Sequence, residues 1–93
     1  MEIAGRDAWS LHFGSMPTVL IEEGYRFFFF SNERGEPPRV HVDKADGYAK
    51  VWLQSPRLAW SEGFSSAELR RIREIVVGHE ALFLERWNEH FSA

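Results

Sequence analysis

The stretch Tyr25-Arg26-Phe27-Phe28-Phe29-Phe30, followed by Ser31-Asn32-Glu33-Arg34-Gly35-Glu36, Pro37-Pro38 and Arg39-Val40-His41-Val42, decides how this chain folds. Four consecutive phenylalanines are too apolar for a strand with one wet face, so the run reads as a strand covered on both sides. The polar segment after it is a turn, and the proline pair is a rigid step. Arg39-Val40-His41-Val42 then alternates with the period of two that a half-buried strand requires.

On the N-terminal side, Thr18 to Ser31 reads as a β-hairpin around Glu23-Gly24, whose glycine accepts positive φ. A tight turn there sets Leu20 opposite Phe27 and Val19 opposite Phe28. On the C-terminal side, Asp46-Gly47 signals a second hairpin between Val40 to Lys44 and Tyr48 to Leu53. A two-residue loop at that dipeptide pairs Ala45 with Tyr48, Asp43 with Lys50 and His41 with Trp52. Alternation then places Val40, Val42, Ala49, Val51 and Leu53 on the core face, and Arg39, His41, Asp43, Tyr48, Lys50 and Trp52 on the other. Gln54-Ser55-Pro56 ends the strand, and Arg57-Leu58-Ala59-Trp60 forms one more short strand.

The last third is helical. Ser65 followed three residues later by Glu68 is a capping box, and Phe64 with Leu69 fits the hydrophobic staple. Leu69, Ile72, Val76, Phe83, Trp87 and Phe91 follow helical spacing, with Ile75 and Leu84 widening the stripe. Gly78, costing about 1 kcal/mol against alanine in a helix interior, is a weak point at which the helix is expected to kink or divide, one long helix being favoured. His79, on the apolar side, reads as a partly buried, hydrogen-bonded histidine. The expected fold class is α+β: a small antiparallel sheet of two hairpins, four to five strands in all, then one long amphipathic C-terminal helix kinked near Gly78. The single α+β domain spans residues 16–93. Residues 1–15, in which Trp9, Leu11 and Phe13 alternate with Ser10 and His12, form an N-terminal arm or an added edge strand.

Ninety-three residues, 44% apolar and 15% aromatic, support one such domain. A core this small is only modestly stabilised, so large aromatics or a partner subunit matter. A net charge of -3 argues against the broad basic surface of a constitutive nucleic-acid binder. The chain has no cysteine, which excludes disulfides, thiolate metal sites and cysteine nucleophiles. No apolar run reaches the ~18 residues of a membrane span, and cytoplasmic residence is the simplest expectation. Glycine-rich phosphate loops, nucleophile elbows and histidine–glutamate zinc motifs do not occur. His79 and His90 stand roughly three helical turns apart, too far for one metal, so neither cofactor nor metal is expected.

These segments together resemble a family of small bacterial proteins known as domain of unknown function 4160. The similar features are Met16-Pro17-Thr18-Val19-Leu20, Tyr25 to Phe30 with Ser31-Asn32-Glu33, Pro37-Pro38-Arg39-Val40-His41-Val42, Lys50-Val51-Trp52-Leu53, Leu58-Ala59-Trp60, and Gly63-Phe64-Ser65 leading into Glu68-Leu69-Arg70. The resemblance implies no established activity. It implies a gene neighbourhood, because members are often encoded beside another small protein, and so a toxin–antitoxin-like pair. The family's strand after the two prolines usually reads His-Val-His. Arg39 stands in the first of those positions, which puts a two-histidine metal site in doubt.

The candidate site is the polar face of the second hairpin. His41 would move a proton near neutral pH, Asp43 would orient it, and Arg39 or Lys50 would stabilise charge on a phosphorane. Trp52 and Tyr48 are placed to stack on a base. Arg57, Arg70, Arg71 and Arg73 are further candidate contacts to phosphate or an acidic partner. The blander reading is an Asp43–Lys50 cross-strand ion pair with His41 packed on Trp52. Three functions follow. The leading one is an interaction protein paired with a second small protein encoded nearby, or with copies of itself. The alternatives are a metal-independent ribonuclease acting through His41, and a nucleic-acid-binding module.

Overall fold

Each strand pairs with its neighbour in the chain, through tight turns within the two hairpins and a longer connection between β2 and β3. The computed structural model describes residues 18–30 and 37–91. Within them the order is β1 (Thr18–Glu22), β2 (Tyr25–Phe28), β3 (Arg39–Lys44), β4 (Gly47–Trp52), β5 (Arg57–Glu62), α1 (Ser66–Gly78) and α2 (Glu80–Phe91). The strands form one antiparallel sheet in the order β1-β2-β3-β4-β5. The expected arm at residues 1–15 and the polar turn at 31–36 lie outside the described residues.

Both helices lie on one face. Tyr25, Phe27, Phe29, Val40, Val42, Ala49, Val51 and Leu53 form a single core with Ile72, Ile75, Val76, Phe83 and Trp87. Phe27 meets Phe83 with ring centroids 5.5 Å apart, and Phe29 meets Trp87 edge-on at 5.2 Å. Each such side chain contributes about 1.5–3 kcal/mol of transfer free energy on full burial.

The second hairpin keeps its expected faces but not its expected register. Observed partners are His41 with Lys50, Asp43 with Tyr48, and Arg39 with Trp52, because the turn residues are Ala45 and Asp46 rather than Asp46 and Gly47. The slip is an even number of residues, so no side chain changes face. Its cause is tertiary. Gly47 sits in β4 directly under the Phe64 ring, where a built Cβ would come within 2.3 Å of that ring. The glycine serves this close approach, and Ala45 takes the left-handed conformation at φ 53 instead.

In the first hairpin Leu20 faces Phe27 as expected, but Thr18 rather than Val19 lies opposite Phe28. The irregularity leaves Val19 as the extra residue, and Val19 and Leu20 both pack against the core. β2 ends at Phe28, two residues short of the aromatic run, although Phe29 remains buried in the core. A similar irregularity in β5 sets Trp60 opposite Lys50 and Leu58 opposite Val51, with Ala59 between them.

The expected single helix is two helices joined at one residue. The Ser65–Glu68 capping box forms as expected, with reciprocal bonds of 3.1 and 2.8 Å. α1 ends at Gly78, and His79 caps it with φ -120. The His79 N–H donates to Ile75 O at 3.0 Å, while its own carbonyl accepts from Phe83 N–H in α2 at 2.9 Å. Arg71 ties α1 to the first turn by donating from Nε to both Glu23 oxygens, each 3.0 Å away, and from Nη1 to Glu74 at 3.1 Å. The hydrogen bond from Arg71 holds the Glu23 carboxyl below its ordinary pKa.

Two glycine substitutions therefore have opposite outcomes. Gly47→Ala forces the Phe64 ring to move and lowers stability by about 1–3 kcal/mol, as overpacking does. Gly78→Ala, which meets nothing within 4 Å, raises it by about 0.5–1 kcal/mol. Chemical denaturation of both variants checks the pair.

Candidate functional site

Alternation along five paired strands assigns a second set of side chains to the face away from the helices. Arg26 lies opposite Asp43, Phe28 opposite His41, His41 opposite Lys50, Lys50 opposite Trp60, and Trp52 opposite both Arg39 and Arg57. No described helix covers this face.

Aromatic stacking organises its centre. His41 is buried, its ring 5.5 Å from Phe28, 4.3 Å from Phe30 and 5.9 Å from Tyr48. The His41 Nδ1 and the Tyr48 hydroxyl are 2.6 Å apart, a short hydrogen bond whose donor is set by the imidazole tautomer. Tyr48 continues the row to Trp60 at 5.6 Å. The Arg26 guanidinium lies 4.1 Å above the Phe28 ring.

The sequence-derived site residues are thus divided. Arg39, His41, Asp43, Tyr48, Lys50 and Trp52 share the face, as the alternation requires. Within it, however, Asp43 does not orient His41. Its carboxylate accepts from Arg26 Nε at 3.3 Å and Nη2 at 2.9 Å, because Arg26 is its cross-strand neighbour in β2. The same pairing replaces the Asp43–Lys50 bridge. His41 packs against Phe28, Phe30 and Tyr48 rather than Trp52. Arg39 is buried, stacked 4.9 Å above Trp52, and donates from Nε to the Pro37 carbonyl at 3.3 Å.

Arg57 is exposed at the end of this face, whereas Arg70, Arg71 and Arg73 lie on α1, which packs on the opposite face. Arg71 is committed to carboxylates, with Glu22 also within 3.8 Å. The four arginines do not form one patch. Among the described residues no group of three or more histidine, aspartate or glutamate side chains could hold a metal ion.

Sequence reasoning missed Arg26, Phe28, Phe30 and Trp60 as members of this face. The signal was present, since Arg26, Phe28 and Phe30 share one parity. What it lacked was the length of the connection from β2 to β3, which fixes the register. It also missed a shallow cavity of about 210 Å³ lined by Pro37, Pro38, Trp52, Gln54 and Arg57.

The half-buried His41–Tyr48 bond is testable as a structural element. Tyr48→Phe keeps the ring stack and removes the hydroxyl, so thermal unfolding should show a loss of about 1 kcal/mol, within the range for one hydrogen bond. His41→Ala, which removes a buried ring, costs more.

Comparison with known proteins adds an assignment but no chemistry. The family model described as "Domain of unknown function (DUF4160)" matches residues 24–88, covering β2 through most of α2. No curated protein matches the chain, and no solved structure does. With more than half of its length matched, and with every segment of the sequence resemblance except Met16 to Leu20 inside that match, the chain belongs to the DUF4160 family.

Proposed function

We propose that this chain is an interaction protein, one half of a toxin–antitoxin-like pair, which binds a second small cytoplasmic protein through the helix-free face of its sheet. The observation that carries this reading is the one-sided placement of the helices. It leaves Trp60 49% exposed at the end of an aromatic row, with Ile21 65% exposed at the opposite edge strand. Aromatic and arginine side chains with a partly exposed apolar surface are the composition of protein interfaces. The paired arrangement is supported by the gene neighbourhood that the family resemblance implies. No helix among the described residues is long and apolar enough to cross a membrane.

The ribonuclease alternative draws no support from the geometry, since His41 is buried and Asp43 belongs to Arg26. A nucleic-acid platform would use the same aromatic face. It is less well supported, because Asp43 and Glu62 interrupt the cations there.

Co-expression with the protein encoded beside this one tests the proposal. Trp60→Glu should reduce capture by about 30-fold, the size of an interface hot spot, with little change in melting temperature. Val77→Glu, at a residue 46% exposed on the helical side, should leave capture intact. Absence of a complex with the wild-type protein, or loss of capture in the Val77 variant alone, would overturn the reading.

A further inference from the structure

Trp52 stands at a corner of the helix-free face where a concavity coincides with the cations Lys50 and Arg57. The cavity there, about 210 Å³, is walled by Pro37, Pro38 and Trp52 and bordered by Gln54 and Arg57. Its shape is held by backbone and stacking contacts. The Leu53 N–H donates to the Pro38 carbonyl at 3.0 Å, which fixes the proline step against the end of β4. Arg39, buried beneath, clamps Trp52 by stacking 4.9 Å from its ring.

Two further cations flank the same indole. Lys50 Nζ lies 5.9 Å from the Trp52 ring, and Arg57 is the cross-strand partner of Trp52. Arg26 on the same face has its own carboxylate in Asp43, and Arg71 on α1 has Glu23 and Glu74. Among the described residues neither Lys50 nor Arg57 has one. In a chain with net charge -3, this corner is a local reversal of sign.

We infer that this corner is an anchor subsite for a carboxylate-bearing segment of a partner protein, whose apolar stem lies between Pro38 and Trp52 while its acidic groups reach Lys50 and Arg57. The inference rests on the interaction reading and specifies the partner's chemistry. An acidic peptide fits better than a nucleic-acid backbone for two reasons. The cavity has the volume of one or two side chains, not of a continuous strand. Cations flank a single indole at this corner, and Glu62 and Asp43 lie farther along the face, where a chain of phosphates would be repelled.

The test is a nuclear magnetic resonance titration of isotope-labelled, full-length protein with the capped peptide acetyl-DELED-amide. Its uncharged counterpart acetyl-NQLQN-amide and an octathymidine strand serve as the other arms. The expected result is shift changes confined to the Trp52 indole, the Gln54 side chain and the Arg57 guanidinium with the acidic peptide only. Lys50→Ala/Arg57→Ala should weaken them about five-fold or more, and added salt should weaken them too. Equal shifts with the uncharged peptide, no shifts with either peptide, or tighter binding of the oligonucleotide would overturn the inference. Partner capture that requires Trp60 but is unchanged by Lys50→Glu/Arg57→Glu would overturn it while leaving the interaction reading in place. Specific peptide shifts in a protein that captures no neighbour would support the subsite and sink the paired arrangement.

Discussion

The burial of phenylalanines on both sides of β2 is the constraint on which the rest of the structure depends. Phe27 and Phe29 point into the core against Phe83 and Trp87, and Phe28 points the other way against His41. A strand that is apolar on both faces cannot sit at a wet edge, and it occupies the second position in the sheet with a neighbour on either side. The helices cover only one of its faces. Among the described residues the other is lined by side chains from the sheet together with Phe30, and there an imidazole, a phenol and a guanidinium are stacked on aromatic rings.

This arrangement changes the meaning of the polar residues. His41 alone in a strand reads as a proton carrier, yet here it is 3% exposed and bonded to Tyr48. Its cost of burial is offset by that hydrogen bond and by ring contacts, the usual condition for a polar group inside a protein. Chemistry therefore moves outward from the buried centre to the rim. There, Trp60, Trp52, Lys50 and Arg57 remain available to another molecule. The middle of the face is a packed scaffold, and its ends are the contact surface that we propose.

Much of this was legible in the sequence, because period-two alternation survives errors of register. The faces of β3 and β4 follow from Val40, Val42, Ala49, Val51 and Leu53 whichever two-residue loop joins the strands. The register itself was not legible. Asp46-Gly47 is a strong local turn signal, but Phe64 claims Gly47 from far along the chain, and no local pattern records that contact. Asp43 is a similar case. Its partner Arg26 is contributed by a strand across a long connection, so nearest-hairpin reasoning offered Lys50 in its place. The helix break at Gly78 was visible as a weak residue, but the exchange of hydrogen bonds at His79 that makes it a clean junction was not.

The central claim is that one face of the sheet is closed by helices and the other is kept for a partner. Fluorine-labelled tryptophans report on it directly. With a soluble paramagnetic agent, the Trp60 resonance should broaden strongly in the isolated protein and be protected once the neighbour-encoded protein binds. Trp87, 5% exposed in the core, should be protected in both states. A Trp60 resonance already protected in the isolated monomer, or one that stays equally exposed in the complex, would contradict the account.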